Sequence, residues 1–428
     1  MAYSGPFLTD LDSRAAVKGS RDPLGIQSIW THFGRHVIGN LTTVSVSVAD
    51  FTTLLLGLYF AERVSPKAPS VEAFLRWEQL AAYARHCAGE NESIRGIERV
   101  KRFWNDGATV TISAERNWQI LGDQKTYGIW GLYTMPARAS GLLEEDAVRL
   151  APPVMEWIAK QHAEFIKHYG DLVCKALDGK PYRLNKKDRE DLLQRLAKEI
   201  APRSYGRSAR EFYERHLLLG AVTDKTNGLQ RQLVTLLEAE FSEAKLQLNP
   251  AKVRSFVEAA SNAGFEDLAH RLERIRTCES LVAVASDTFL FLLTRDEHSA
   301  KTVAQSFGET WGPKITTINS DGIASISQEL RNIWNDDIGN RWVQVAGAFA
   351  RGDYLALVEL LVVQNQEVMK LRGSPQGWID LEKGVLKVRF RDERGNLPSL
   401  EALPDLWRFP YFFDSLHRIG CALRGPKS

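Results

Sequence analysis

Carboxylates beside a lysine are the first feature that could do chemistry, because metal-dependent nucleases hold their ions with clustered Asp and Glu. The nearest arrangement is the run DLEK at 380–383. A restriction-type nuclease places an acid on one strand and a Glu-x-Lys pair on the next, whereas the EKG at 382–384 has the composition of a turn. A divergent metal-dependent nuclease stays an alternative, with Asp380 and Glu382 as its candidate residues.

Two imidazoles, His32 and His36, are four residues apart and would share one helix face, as a metal site requires. No carboxylate or third imidazole lies near them in the sequence, so we expect a structural role and no metal. The sequence also lacks a phosphate-binding loop, HExxH, GxSxG, the kinase motifs and an HxK pair. These absences favour a protein without catalytic residues or a cofactor, although catalytic residues can converge from distant segments.

A basic stretch at 183–215 carries ten Lys or Arg against six Asp or Glu. Its central loop at 202–206 brings together arginines that are not each matched by a nearby acid. Loop arginines beside an aromatic ring and a helix start suit phosphate. The candidates for nucleic-acid contact here are Arg203, Tyr205, Arg207 and Arg210. A solvated face between helices is the alternative.

The segment 127–152 has an order of elements that could place a helix on DNA. An apolar helix is followed by GLL at 141–143, a polar turn, and VRLAP at 148–152. This order resembles a winged-helix domain, in which the helix before the hairpin enters the major groove. The resemblance implies double-stranded DNA as a partner. The residues that would face it are Gln124, Lys125, Thr126, Tyr133, Thr134, Arg138 and Arg149.

The same segment departs from that pattern in two ways. Pro136 falls inside or just after the recognition helix, where a proline ends or kinks a helix. Residues 94–150 hold eight Lys or Arg against seven Asp or Glu, a net charge of only +1. Protein interaction, or an ordinary helix and hairpin in a helical scaffold, are therefore alternatives to DNA contact.

The phrase SRDPLGIQSIWTHFGRHVIGNLTT at 20–43 is a third specific feature. It resembles the N-terminal signature of uncharacterised bacterial proteins encoded in anti-phage defence loci, beside helicases, nucleases or ATPases. The resemblance covers only this segment, which contains no catalytic motif. It implies a non-enzymatic subunit of a multi-protein defence complex, with such proteins as its partners.

Hydrophobic periodicity predicts the elements that must position these residues. An amphipathic helix begins at Ile26, a helix at 49–64 is apolar on nearly all sides and should be central, and Ser70 is a candidate N-cap. The fold class is mainly α, a multi-helical body with a winged-helix-like element and a small C-terminal β-hairpin. The predicted domains are an N-terminal arm with signature helices (1–70), a winged-helix-like domain (71–165), a helical body (166–372), and a hairpin with a final helix (373–428).

An aromatic-rich tail accompanies the hairpin and includes Trp378, Trp407, Tyr411, Phe412, Phe413 and His417. Such rings can stack on single-stranded bases. Packing of the tail onto the helical body or onto a partner is the commoner use of so much aromatic surface. We therefore favour packing.

Composition sets the outer limits. The 428 residues are 44% hydrophobic and 25% charged with a net charge of +2, which excludes wholesale disorder and histone-like binding. Four widely spaced cysteines predict reduced thiols and no zinc ribbon. The first residues lack a signal pattern and the apolar runs are short, so we expect a cytoplasmic protein without membrane contact.

These patterns together predict a non-catalytic subunit, DNA-engaging or scaffolding, of a bacterial anti-phage defence complex. A pure protein-interaction scaffold without DNA binding and the divergent nuclease are the alternatives.

Overall fold

The computed structural model describes residues 22–67, 69–91, 94–105, 110–185, 189–221, 223–392 and 395–425. The predicted N-terminal arm lies outside the described residues. The chain is mainly helical, as the sequence predicts, and has two small antiparallel sheets, of which the sequence predicts only the C-terminal hairpin. No helix in these ranges is both long and apolar enough to cross a membrane.

The helices, in chain order, are α1 (Ile26–Arg35), α2 (Val48–Val64), α3 (Val71–Cys87), α4 (Ile97–Asn105), α5 (Gln124–Tyr127), α6 (Ile129–Ala139), α7 (Pro152–Gln161), α8 (Ala163–Leu177), α9 (Gln194–Ile200), α10 (Arg207–Tyr213), α11 (Leu229–Leu237), α12 (Pro250–Asn262), α13 (Glu266–Leu292), α14 (Ala300–Trp311), α15 (Ser320–Ser325), α16 (Ser327–Ile333), α17 (Asp336–Arg351), α18 (Tyr354–Leu371) and α19 (Phe413–Arg424). The strands are β1 (Val110–Ile112), β2 (Tyr182–Leu184), β3 (Ile379–Glu382) and β4 (Val385–Val388). Single π-helical turns, Arg189–Leu193 and Glu214–Leu218, precede α9 and follow α10.

By its internal contacts the chain divides into two compact units, each assembled from two separate stretches. Unit 1 comprises residues 22–37 and Gln247–Tyr411, which contain α1, α12 to α18 and the β3–β4 pair. Unit 2 comprises Ile38–Leu246 and residues 412–425, which contain α2 to α11, α19 and the β1–β2 pair.

Side-chain caps begin several of these helices. The hydroxyl of Ser70 accepts a hydrogen bond from the Ala73 amide at the start of α3, as predicted. Asn249 caps α12 in the same way, and Pro250 takes the first helical position, where its missing N–H costs nothing. The bounds of these helices therefore follow from local sequence.

Helix α2 is the centre of unit 2, as its all-round apolar pattern predicts. It packs against α3, α6 and α8, and Phe51, Leu55 and Phe60 are fully buried. A Cβ on Gly57 would lie only 2.3 Å from Trp77 Cδ1, so the absence of a side chain lets the indole of α3 lie against the α2 backbone.

In unit 1 the long helix α13 packs against α1 and α12. The predicted hairpin is confirmed: β3 and β4 pair antiparallel, and Lys383 and Gly384 form its two-residue turn with φ of 53° and 79°. The tail segment before Tyr411 packs onto α13 through Glu279. The Tyr411 hydroxyl donates to Glu279 Oε2 at 2.8 Å, and two backbone amides donate to Oε1. Packing of this part of the aromatic tail is therefore confirmed.

Candidate nucleic-acid interface

Gln124, at the start of α5, is fully buried in unit 2, where its side chain forms hydrogen bonds to α3 and to the segment before α5. Its amide nitrogen donates to the Leu75 carbonyl at 2.8 Å and to Glu78 Oε2 at 2.9 Å, and its oxygen accepts from the Ile120 amide at 3.1 Å. All of its polar groups are used inside the protein. The prediction that Gln124 faces DNA is corrected, because a polar side chain that satisfies its hydrogen bonds in the core has no surface to offer.

Tyr133 and Thr134 lie on the buried side of α6. The Tyr133 hydroxyl donates to Asp50 Oδ2 at 2.9 Å, and the Thr134 hydroxyl donates to the Trp130 carbonyl at 2.5 Å. Tyr133 has no exposed surface and Thr134 is 9% exposed. Their predicted DNA contact is corrected for the same reason: this side of the helix belongs to the core around α2.

The outer side of α5 and α6 carries the exposed residues of this segment. Lys125 and Thr126 are exposed, as predicted. Two large apolar side chains accompany them, because Tyr127 is 63% exposed and Met135 is 65% exposed. Pro136 lies inside α6, which continues for three more residues, so the proline does not end this helix where it stands.

The turn after α6 is a tight hairpin-like loop. An isolated antiparallel bridge joins Leu143 to Leu150, and the Glu144 amide donates to the Arg149 carbonyl at 3.0 Å. The exposed tip carries Glu145 and Asp146. Two carboxylates at the tip repel phosphate, so this loop is a poor DNA-binding wing.

Arg138 and Arg149 form polar contacts that stabilise this loop. The Arg138 guanidinium donates to the carbonyls of Glu144 and Ala147 at 3.4 and 3.5 Å. Arg149 pairs with Glu62 at 3.4 Å. The prediction that these two arginines face DNA is corrected, because their hydrogen-bonding groups are engaged by the loop itself and by α2.

We define the basic loop as four cations at the connection between α9 and α10: Lys198, Arg203, Arg207 and Arg210. Their environment differs from that of Arg138 and Arg149. Arg203 and Arg207 are exposed, and Arg207 pairs with Glu211 at 2.8 Å on the surface. Arg210 is half-buried, and its Nε has no hydrogen-bond partner. Within the described ranges, Lys198, Arg203 and Arg210 form no ion pair.

Two cavities lie on either side of this loop. One, of about 180 Å³, is lined by Trp157, His162, Lys198 and Tyr205 among others. The other, of about 660 Å³, is lined by Lys198 and Arg203 together with residues near the end of α3. Lys198 thus reaches both cavities. Burial raises the pKa of Tyr205 far above its usual value, so its hydroxyl stays protonated.

His162 and Trp157 line the smaller cavity and were missed by sequence reasoning. His162 Nδ1 lies 2.8 Å from Glu199 Oε2, while its Nε2 is buried and has no partner. The ring of Trp157 stacks on that of Phe212, with centroids 3.6 Å apart and planes within 2° of parallel. Nothing in the local sequence signals these pairs, because their members lie on separate helices.

The remaining candidate residues are the two acids of the hairpin and the two histidines. Asp380 pairs with Arg389 at 2.9 Å and accepts a hydrogen bond from Gln366, while Glu382 is exposed at the end of β3. His32 and His36 are joined by a carboxylate that the sequence did not indicate, Glu329 of α16, and these three could hold a metal ion.

Of the predicted contact residues, the structure fully exposes Lys125, Thr126, Arg203 and Arg207, and it partly exposes Arg138, Arg149, Tyr205 and Arg210. The arrangement offers positive charge around the basic loop and apolar surface on α5 and α6. Comparison with known proteins adds no family: no protein-family profile, no curated protein and no solved structure matches this chain.

Proposed function

We propose that this protein is a non-catalytic subunit that binds the phosphate backbone of double-stranded DNA through the basic loop. The observation that carries the proposal is the set of cations Lys198, Arg203 and Arg210, which form no ion pair within the described residues although they lie close together along the chain. A cation without an internal counter-charge is available to an external anion. In nucleic acids that anion is the backbone phosphate, which the arginine guanidinium binds well.

Contacts of this kind carry affinity rather than sequence preference. On B-form DNA, the logarithm of the affinity falls linearly with the logarithm of the salt concentration. Each phosphate that a cation neutralises contributes about −0.9 to that slope. Three cations therefore predict a slope of roughly −3, which is a modest salt dependence. The winged-helix-like segment contributes only Lys125 and Thr126 to such a surface, so we assign the main contact to the basic loop.

Fluorescence anisotropy with labelled double- and single-stranded DNA over a salt series tests this proposal. The double variant Lys198→Glu/Arg203→Glu should weaken binding at least tenfold and flatten the slope. Arg231→Glu is the matched control, since Arg231 is an exposed arginine of the same unit on α11. Unchanged affinity in the double variant, or an equal loss in the control, would contradict the basic loop as the site.

A second candidate is a protein-interaction scaffold, and the exposed Tyr127 and Met135 favour it. Tyr and Met are enriched at protein interfaces, and large apolar side chains that stay exposed are available for a partner to cover. Tyr127→Ser/Met135→Ser should release a protein partner that co-purifies with the native chain and leave DNA affinity unchanged. If this variant retained the partner, the surface around Tyr127 and Met135 would be excluded as its binding site.

The place of this subunit in a bacterial anti-phage defence complex is supported by the resemblance of the segment at 20–43. Its partners would be a helicase, a nuclease or an ATPase. Deletion of the gene should remove protection against phage, and the Lys198→Glu/Arg203→Glu variant should fail to restore it. Full protection without the gene would contradict this role.

A further inference from the structure

His32, His36 and Glu329 converge at one place in unit 1. Helix α1 presents both imidazoles on one face, with ring centroids 4.5 Å apart and planes at 84°. Helix α16 packs against α1 and brings Glu329 Oε2 to 3.8 Å from His32 Nε2. One ligand atom from each of the three residues lies within 4.8 Å of the others.

The polar atoms of this cluster lack partners. His32 Nε2, His36 Nδ1 and Glu329 Oε2 are all buried, and none has a hydrogen-bond partner. One buried polar atom left without a partner costs about 1–3 kcal/mol, so native proteins rarely leave one without a reason. Three such atoms in one cluster point to a shared ligand.

The surroundings prepare these atoms for a metal. Arg274 of α13 pairs with Glu329 Oε1, which leaves Oε2 directed to the imidazoles. Ligating carboxylates are commonly held by such an outer hydrogen bond. Burial is the largest cause that lowers the pKa of both histidines, Arg271 and Arg274 lower it as well, and the Glu329 carboxylate opposes this change. The neutral imidazole is the form that binds metals.

We propose that His32, His36 and Glu329 bind a divalent transition-metal ion of the zinc class through two imidazole nitrogens and one carboxylate oxygen. Imidazole ligands exclude magnesium and calcium, which prefer oxygen. Tetrahedral zinc with bonds of about 2.0–2.2 Å needs donor atoms roughly 3.4 Å apart. The 3.8 Å separation of His32 Nε2 and Glu329 Oε2 therefore needs to close by about 0.4 Å, and a separation at the 4.8 Å limit of the cluster would need to close by about 1.4 Å.

Three protein ligands leave one coordination position open. The side chains of His32 and Glu329 are 33% and 23% exposed, so the cluster lies near the surface although its three ligand atoms are buried. Arg271 and Arg274 add positive charge beside it. A bound divalent cation would increase that charge, so the fourth ligand should be an anion of the phosphate class. This inference does not depend on DNA binding, which we assign to unit 2.

Isothermal titration of Zn²⁺ into the untagged, chelator-treated full chain tests the proposal, with the visible absorption of bound Co²⁺ as a second readout. We expect one ion per chain. Glu329→Gln and His32→Ala/His36→Ala should each weaken binding at least tenfold, since even outer hydrogen-bond partners change metal affinity by about 10–100-fold. Inorganic phosphate should shift the Co²⁺ spectrum of the native chain.

The control is His168→Ala, because His168 is exposed and pairs with an acid, Glu164, but among the described residues it has no third ligand. It should bind metal as the native chain does. Circular dichroism shows whether each variant is folded, and Zn²⁺ should raise the melting temperature of the native chain and of His168→Ala but not of Glu329→Gln. The proposal would be overturned if the native chain did not bind metal or if all variants bound it equally. It would also be overturned if phosphate bound equally well with and without the metal.

Discussion

Asp50 and Arg85 form an ion pair in the interior of unit 2, with 2.6 Å between Oδ1 and the guanidinium and less than a tenth of either side chain exposed. The other oxygen of Asp50 accepts from Tyr133, so one carboxylate connects α2, α3 and α6. Asp50→Ala removes the nearest counter-charge of a buried guanidinium, whose other acid, Glu90, is 3.9 Å away, and should lower the free energy of unfolding by about 3–5 kcal/mol, measured by urea denaturation.

The control is Glu72→Ala, which removes an exposed acid that lies 4.0 Å from the buried Arg76. That change should stay within about 0.5 kcal/mol of the native chain. A comparable loss in both variants would show that burial of the Asp50 pair is not the source of its effect.

Gly57→Ala should destabilise unit 2. The new methyl group would lie 2.3 Å from Trp77 Cδ1 and 2.6 Å from Phe74 Cε2, and both rings are locked in the core. Overpacking of this kind costs about 1–3 kcal/mol. Gly170→Ala on α8 is the control, since its nearest neighbours are 3.7 Å or more away and alanine favours a helix. Thermal unfolding should show a lower midpoint for the first variant only.

Arg138→Ala should loosen the loop at 143–150 without changing DNA affinity. The guanidinium is the donor to the Glu144 and Ala147 carbonyls, so its loss releases the acidic tip. Hydrogen exchange measured by mass spectrometry should become faster in that loop and stay unchanged in α2. Faster DNA dissociation or weaker DNA binding in this variant would return Arg138 to the interface.

The stability of unit 1 should fall as the pH rises through neutrality. Burial raises the pKa of Glu279 from 4.5 to about 7, despite the hydrogen bonds that it accepts from Arg408, Tyr411 and Phe409. Between these two values the folded chain keeps a proton that the unfolded chain has lost. The stabilisation that the protonated Glu279 contributes is therefore complete below its unfolded pKa of 4.5. It is lost as the pH rises through about 7, the pKa of Glu279 in the folded chain.

Urea denaturation across that pH window measures this loss, which should be about 3 kcal/mol for Glu279. Glu78 in unit 2, with its pKa raised to about 7 by burial, should act in the same direction. Glu279→Gln should remove the contribution of unit 1, while Glu266→Gln, at an exposed position of the same helix, should keep the native pH profile. An unaltered profile in Glu279→Gln would assign the effect elsewhere.

Elements with local signals could be predicted from the sequence. The all-round apolar pattern of α2 indicates a central helix, the Ser70 hydroxyl caps α3, and the Lys383-Gly384 turn forces the β3–β4 pairing. Each depends on residues within a few positions of one another, so the pattern itself contains the physical cause.

The candidate sites could not be predicted in the same way. Gln124 is polar, and the sequence cannot show that Glu78 and the Leu75 carbonyl satisfy it inside the core. In the chain, Glu329 is separated from His36 by the whole 38–246 stretch of unit 2 and by about half of unit 1, so the third ligand has no local signal. The grouping of residues 22–37 with Gln247–Tyr411 likewise depends on contacts between distant segments.

The assembly of unit 2 from two stretches has a consequence for biosynthesis. Helix α19 packs on the turn after α11, where a Cβ on Gly420 would lie 2.2 Å from Phe241 and His417 Nε2 is 2.8 Å from the Glu240 carbonyl. During translation, residues 38–246 emerge long before α19 does. A nascent chain paused within unit 1 therefore exposes the apolar surface that α19 later covers, and chaperones that recognise such surfaces would find it during that interval.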